Sequence, residues 1–210
     1  RVVTCYGTVL GNAQSFTTLC VAPTATTLPA SSPDPVEGRA RLNATVNGSG
    51  NLTSVAFEWG TSTAYGNTVT ASPSSISGSA SVSALINGLA EGTIYYYRVK
   101  ATSCYGTVYG ANEKFTLDID GNIYHLSTYS YFYLKRIYTV TWMKENLRTT
   151  RYSDYTGVPP GCDTCTIYTI SYKPYGDNSA NKDIYGLLYN GPTVNSAKNI
   201  CPTGWHVATI

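Results

Sequence analysis

Arg39-Ala40-Arg41-Leu42-Asn43-Ala44-Thr45-Val46 alternates without a break. On an extended chain Ala40, Leu42, Ala44 and Val46 fall on one side and Arg39, Arg41, Asn43 and Thr45 on the other, because successive Cβ atoms point to opposite faces. This is the pattern of a strand with one face in a core and one in water. Outward from it, Val55, Phe57 and Trp59 repeat the period, then Ala80, Val82, Ala84 and Ile86, then Tyr95, Tyr97, Val99 and Ala101. Turn dipeptides separate these runs, among them Asn47-Gly48, Ser49-Gly50 and Gly66-Asn67, and no run carries a helical period. The expected fold is mainly β, an antiparallel β-sandwich across residues 21–117.

A displacement of 99 positions lays Cys5-Tyr6-Gly7-Thr8-Val9 on Cys104-Tyr105-Gly106-Thr107-Val108, and Gly11, Phe16 and Thr17 on Gly110, Phe115 and Thr116. Eight identities in eighteen positions, at a spacing close to one sandwich, read residues 1–20 as the terminal hairpin of a preceding copy. The stretches NATVNGSG, VAFEWGTSTAYGNTV, LAEGTIYYYRVKAT and YGTVYGANEKFT then resemble the bacterial fibronectin-type-III-like repeats over 21–117. That resemblance places Leu89, Gly92, Thr93 and Tyr95 at a tyrosine corner, in which a buried phenol hydroxyl bonds backbone at the connection between sheets. Trp59, Leu89 and Tyr95 are expected to be buried together.

From Asp118 the texture changes, with twelve tyrosines in the last 93 residues and less regular alternation. Residues 118–210 read as a second, tyrosine-rich domain. DIDGNIY, TWMKENLRTTRY, YGLLYN and NICPTGWHVAT resemble the Fibrobacter succinogenes major paralogous domain of secreted bacterial proteins, with an aromatic insertion at about 126–140 ahead of Trp142. The resemblance implies a second β-rich, irregular fold similar to C-type-lectin-like and formylglycine-enzyme-like modules, an extracellular location on the bacterial cell surface, and a domain that runs on past Ile210.

Composition sets the outer limits. Only 12% of residues are charged and the formal net charge is +2, with acids and bases interspersed, so no field gathers nucleic acid or an anionic membrane. No apolar run reaches the roughly 18–20 residues of a membrane-spanning helix, and Arg1 does not open a signal peptide, which reads as material already processed or excerpted from a longer chain. Six cysteines, Cys5, Cys20, Cys104, Cys162, Cys165 and Cys201, suit disulfides in an oxidising compartment, with the pairing left open. For Cys162-Asp163-Thr164-Cys165 the alternatives are a zinc or redox site and a structural disulfide, within the loop or to Cys201. No second CxxC follows, and His125 and His206 are the whole histidine complement.

Asp118, Asp120 and Asn122 have the alternate spacing of a calcium loop, but Ile123 and Tyr129 stand where its glycine and bidentate glutamate belong. The competing reading is a hairpin turn at Asp120-Gly121. His206, between Trp205 and Val207, reads as a hydrogen-bonded core histidine. No serine elbow, paired carboxylates or phosphate loop accompanies it, so no catalytic residue and no cofactor is assigned. Tyr129, Tyr131, Phe132, Tyr133 and Tyr138 form a candidate ligand or subunit contact, read as sugar-stacking platforms, as an interdomain or subunit interface, or as ordinary packing. Asn43, Asn47 and Asn51 each open an Asn-x-Ser/Thr glycosylation acceptor.

Together these point to a non-enzymatic structural or adhesive module of a bacterial surface stalk or filament. The alternative is a carbohydrate-binding module with Trp142 or Trp205 as further stacking platforms. The expected partners are copies of itself or neighbouring repeats of the same chain, and glycans, with no nucleic acid and no membrane insertion. The hairpin at 1–18 would be covered by the rest of a preceding repeat or by a neighbouring chain in a filament.

Overall fold

The computed structural model describes residues 2–15, 19–31, 38–133, 136–161 and 171–207, and of residues 2, 4, 9, 129–133 and 136–138 the backbone alone. The strands in chain order are β1 Val2–Thr4, β2 Gly7–Val9, β3 Thr24–Ser31, β4 Arg39–Asn47, β5 Thr53–Gly60, β6 Asn67–Ile76, β7 Ser79–Asn87, β8 Tyr95–Ser103, β9 Gly106–Tyr109, β10 Glu113–Leu117, β11 Ile123–Tyr133, β12 Arg136–Met143, β13 Tyr172–Pro174 and β14 Leu187–Tyr189. Two single-turn helices, α1 Lys182–Tyr185 and α2 Gly191–Val194, lie near the C-terminal end of the described chain. None of the described helices is long and apolar enough to cross a membrane.

The alternation that opens the sequence reading is the inner face of β4. Ala40, Leu42, Ala44 and Val46 are all buried, while Arg39, Arg41 and Thr45 face water. β4 pairs with β3 on one side and β7 on the other; β5 pairs with β6 and β8. The inner faces of the two groups share one core of Leu42, Val46, Phe57, Val82, Ile86, Tyr97, Val99 and Phe115. Each large apolar side chain buried there contributes about 1.5–3 kcal/mol of transfer free energy. A single pairing of Ser72 with Ser83 joins the layers at β6 and β7.

β3 is an edge strand, and Pro29 breaks its ladder to β4 between Leu28 and Ser31. Three successive carbonyls freed there are taken by side chains. Tyr97 Oη donates to Leu28 O at 2.8 Å, Asn43 Nδ2 to Pro29 O at 2.9 Å, and His125 Nε2 lies 3.0 Å from Ala30 O. The buried backbone is thus satisfied without a regular strand. At the tyrosine corner, Tyr95 Oη accepts from Ala90 N at 2.9 Å, with the ring stacked on Phe115 at a centroid distance of 5.8 Å. Leu89 and Tyr95 are buried, and Trp59, 6.2 Å from Tyr95 between ring centroids, is partly buried against the same core.

One feature departs from two separate domains joined by a linker. β10, the last strand of the sandwich, pairs with β11 through Phe115↔His125, Thr116↔Tyr124 and Leu117↔Ile123. β11 pairs in turn with β12 from Leu126↔Met143 to Tyr133↔Arg136. The sheet therefore runs without interruption from β5 and β8 through β10 into the β11–β12 hairpin, and Ile123 belongs to the sandwich core. Beyond β12 the chain is irregular, with the short β13–β14 pair and a second apolar cluster of Tyr152, Val158, Ile200 and Cys201. At the other end of the chain β1 and β2 pair with each other and with no other described strand.

Candidate functional site

The seam between the sandwich and the tyrosine-rich part is crossed by a dense set of long-range polar contacts. It starts at the turn Asp118–Asn122. Asp118 N–H donates to Asn122 O at 3.1 Å and Gly121 N–H to Asp118 O at 3.0 Å, closing the β10–β11 hairpin with Gly121 at φ 78°. The buried Asp118 carboxylate accepts four hydrogen bonds: Asp120 N and Asn122 N at 2.9 Å on Oδ1, and Asn122 Nδ2 at 2.8 Å and Tyr124 Oη at 2.7 Å on Oδ2. Burial pushes this carboxyl above its usual range, and the bonds from Asn122 and Tyr124 oppose that rise. Tyr124 is itself held well above its ordinary value by burial and then by the Asp118 charge, so its hydroxyl keeps the proton it donates. The same oxygen accepts from Arg148 N at 2.8 Å, which ties the segment after β12 to the turn.

Asp120 is spent in the same way, on Thr150 N–H and Thr150 Oγ1 through Oδ2 and on Arg151 Nε at 3.2 Å through Oδ1. The calcium reading of Asp118, Asp120 and Asn122 thus meets carboxylates whose oxygens are already directed at N–H and O–H donors. The hairpin-turn reading describes their geometry. Among the described residues no cluster of three or more histidine, cysteine or acidic side chains gathers as a metal site.

Two further contacts lock the seam. His125 Nδ1 lies 2.6 Å from Glu145 Oε1, Glu145 Oε2 accepts from His125 N at 2.8 Å, and the other ring nitrogen faces Ala30 O in β3. One histidine so spans the first strand of the sandwich and the segment after β12. Lower down, the motif Cys201-Pro202-Thr203-Gly204-Trp205 grips the loop before β8. Thr203 Oγ1 donates to Glu91 Oε1 at 2.8 Å and Trp205 Nε1 to Gly92 O at 3.1 Å. Gly92 has φ 66°, and a Cβ there would overlap the Thr203 carbonyl oxygen, so glycine is required twice over.

Beside this latch opens a cleft of about 510 Å3, lined by Ile94, Val140, Trp142, Met143, Trp205 and His206 among others. It runs along β12, the edge strand of the sheet, and is predominantly apolar. Trp142 is 48% exposed at its rim.

Residues 136–210 match the family model described as the Fibrobacter succinogenes major domain. The match takes in β12, the latch motif and the second apolar cluster, and it leaves 118–135 and the sandwich outside. For 21–117 the β-sandwich is shown by its strands and their pairing. No curated protein and no solved structure matches the chain. The segment that matches this family model is thus joined to the β-sandwich by a shared sheet.

Within the matched segment, the structure corrects one expectation about histidine. His206 is exposed at the mouth of the cleft, because the chain at 205–207 is irregular and Trp205 is the side chain that turns inward. Of the cysteines, Cys20 and Cys104 are bonded, with Cα atoms 6.0 Å apart, which ties residue 20 to the β8–β9 turn of the sandwich. Cys5 is an exposed thiol. Cys201, one of the two alternative partners for the Cys162–Cys165 loop, is a buried free thiol in the apolar cluster, and burial pushes it up to about 11. Cys162 and Cys165 lie outside the described residues, as do the side chains of Tyr129, Tyr131, Phe132, Tyr133 and Tyr138, whose backbones form the β11–β12 hairpin.

The three glycosylation acceptors differ. Asn43 Nδ2 holds Pro29 O and lies 3.1 Å from Ser31 Oγ, and Asn51 Nδ2 donates to Val21 O at 3.1 Å, so both amide nitrogens are engaged in the fold. Asn47 is exposed and uses Oδ1 to accept from Ser49 N at 3.0 Å. The seam residues Glu91, Gly92, Glu145 and Thr203 carry no local signal of their role; Gly92 within Glu91-Gly92-Thr93 is the one whose type hints at a positive φ.

Proposed function

We propose that this chain is a non-enzymatic, extracellular module of a bacterial surface stalk or filament, in which the sandwich spaces and orients the major domain. The observation that carries this reading is the continuous pairing of β8, β10, β11 and β12, reinforced by the Asp118 turn, the His125 bridge and the Gly92 latch. Domains joined by a loop swivel; a shared sheet with buried polar anchors holds one orientation and transmits force between its ends. Such a joint suits display better than turnover. Immunogold labelling of intact cells with antibody against residues 21–117 tests it. Labelled thin projections on unpermeabilised cells are expected, and label that requires permeabilisation overturns the reading.

A second reading, a carbohydrate-binding module, draws on the cleft that brings Trp142 and Trp205 into one lining. Indole faces stack on sugar rings and supply large contact area at little entropic cost. A glycan array of the intact chain beside Trp142→Ala and the Tyr131→Ala/Tyr133→Ala pair separates the two readings. Saturable binding lost in either variant favours the sugar module, and no binding by the intact chain leaves the display reading standing.

A further inference from the structure

Three asparagines stand directly before a glycine, in Asn47-Gly48, Asn87-Gly88 and Asn190-Gly191. In such a pair the glycine amide nitrogen can close on the asparagine side-chain carbonyl carbon, because no Cβ on the following residue stands in the way. The ring closes only where the carboxamide and the glycine N–H are both free of other bonds. The fold therefore decides which of the three reacts.

Two of them are held. At Asn47, Oδ1 accepts from Ser49 N at 3.0 Å and Gly48 N–H donates to Gly78 O at 2.9 Å. A Cβ on Gly48 would overlap the carbonyl oxygens of Asn51 and Ser77, so this peptide unit has no room to turn. Asn190 caps α2. Its Oδ1 accepts from Thr193 N at 3.2 Å and Thr193 Oγ1 at 2.7 Å, and its Nδ2 donates to Ser171 Oγ at 3.1 Å. A carboxamide bonded at both atoms cannot swing toward its own backbone without breaking those bonds.

Asn87 is different. It is the exposed last residue of β7, and the exposed Gly88 after it has φ 73° and no described atom within 4 Å of its Cβ position. Among the described residues neither the Asn87 carboxamide nor the Gly88 N–H has a hydrogen bond. The ladder to β4 ends at Arg39↔Asn87, and the chain is next held at Leu89, whose N–H donates to Gly38 O at 3.0 Å. The Gly88 peptide is thus the unbonded unit between two anchors. Residues directly opposite on paired strands have Cβ atoms about 4.5–5.5 Å apart on one face, which puts the exposed Arg39 beside Asn87. Its positive charge favours the anion that forms there. We propose that Asn87 is a deamidation site of this chain. The Gly88 nitrogen bonds to Asn87 Cγ, the Cγ–Nδ2 bond breaks, and the Gly88 proton leaves with Nδ2 as ammonia. Water then opens the cyclic imide, giving aspartate by cleavage at Cγ or isoaspartate by cleavage at the main-chain carbonyl carbon. Either product sets a carboxylate near Arg39, and isoaspartate adds a methylene to the main chain just ahead of Leu89 and the Tyr95 corner.

The test incubates the purified folded chain in mildly alkaline heavy-oxygen water and maps its peptides by mass spectrometry, with a urea-unfolded sample beside it. The folded chain should lose the Asn87 amide several-fold faster than the amides of Asn47 and Asn190, with heavy oxygen incorporated and both acids formed. Unfolding should erase the difference. An Asn87 amide that persists as long as the other two in the folded chain overturns the proposal, and so does faster loss at Asn47 or Asn190. In Arg39→Gln the Asn87 amide should last longer, and an unchanged lifetime overturns the part given to Arg39.

Discussion

Gly92 in the sandwich lies directly against the carbonyl of Thr203 in the C-terminal segment, with no room for a Cβ between them. Gly92→Ala therefore has to move one domain against the other, besides placing a side chain at φ 66°. We predict a loss of about 2–4 kcal/mol in unfolding free energy. The seam should also loosen, seen as a red shift of Trp205 emission when its contact to Gly92 is broken. A variant with unchanged stability and emission contradicts the latch.

Tyr95 tests the sandwich itself. Removing its hydroxyl in Tyr95→Phe leaves Ala90 N–H without its acceptor, and the expected cost is about 1–3 kcal/mol with an unchanged urea m-value. A difference within error of zero shows that the corner contributes nothing to the fold.

The core alternation was legible because β4, β5, β7 and β8 each bury one face, which stamps a period of two on the chain. The turn at Asp120-Gly121 was legible too, since that dipeptide tolerates the backbone it needs. Its consequence was not. Whether a hairpin turn ends a domain or carries its sheet onward depends on which strand β11 meets, and Thr116 and Tyr124 look alike in either case. The latch was hidden for the same reason, because Glu91 and Thr203 are 112 residues apart and neither belongs to a local pattern. Trp205 and His206 were read together, although the fold turns one inward and leaves the other in water.

Cys201 gives a pH dependence with a definite sign. Burial raises its thiol from 9.0 to about 11, so the folded protein holds the proton longer than the unfolded chain. Its contribution to stability is full below about pH 9, its unfolded value, and is lost as pH rises through about 11. The wild-type urea midpoint should fall across that window more steeply than that of Cys201→Ala. Parallel slopes contradict a buried thiol.

Amide hydrogen exchange at residues 115–125 tests the shared sheet most directly. If β10 and β11 are paired as one sheet, the Thr116 and Tyr124 amides, which face each other across it, should exchange as slowly as the β5–β8 core and open only with the sandwich as a whole. Rapid exchange at Thr116 and Tyr124 while β5 and β8 stay protected would show a flexible joint, and would contradict the rigid display module.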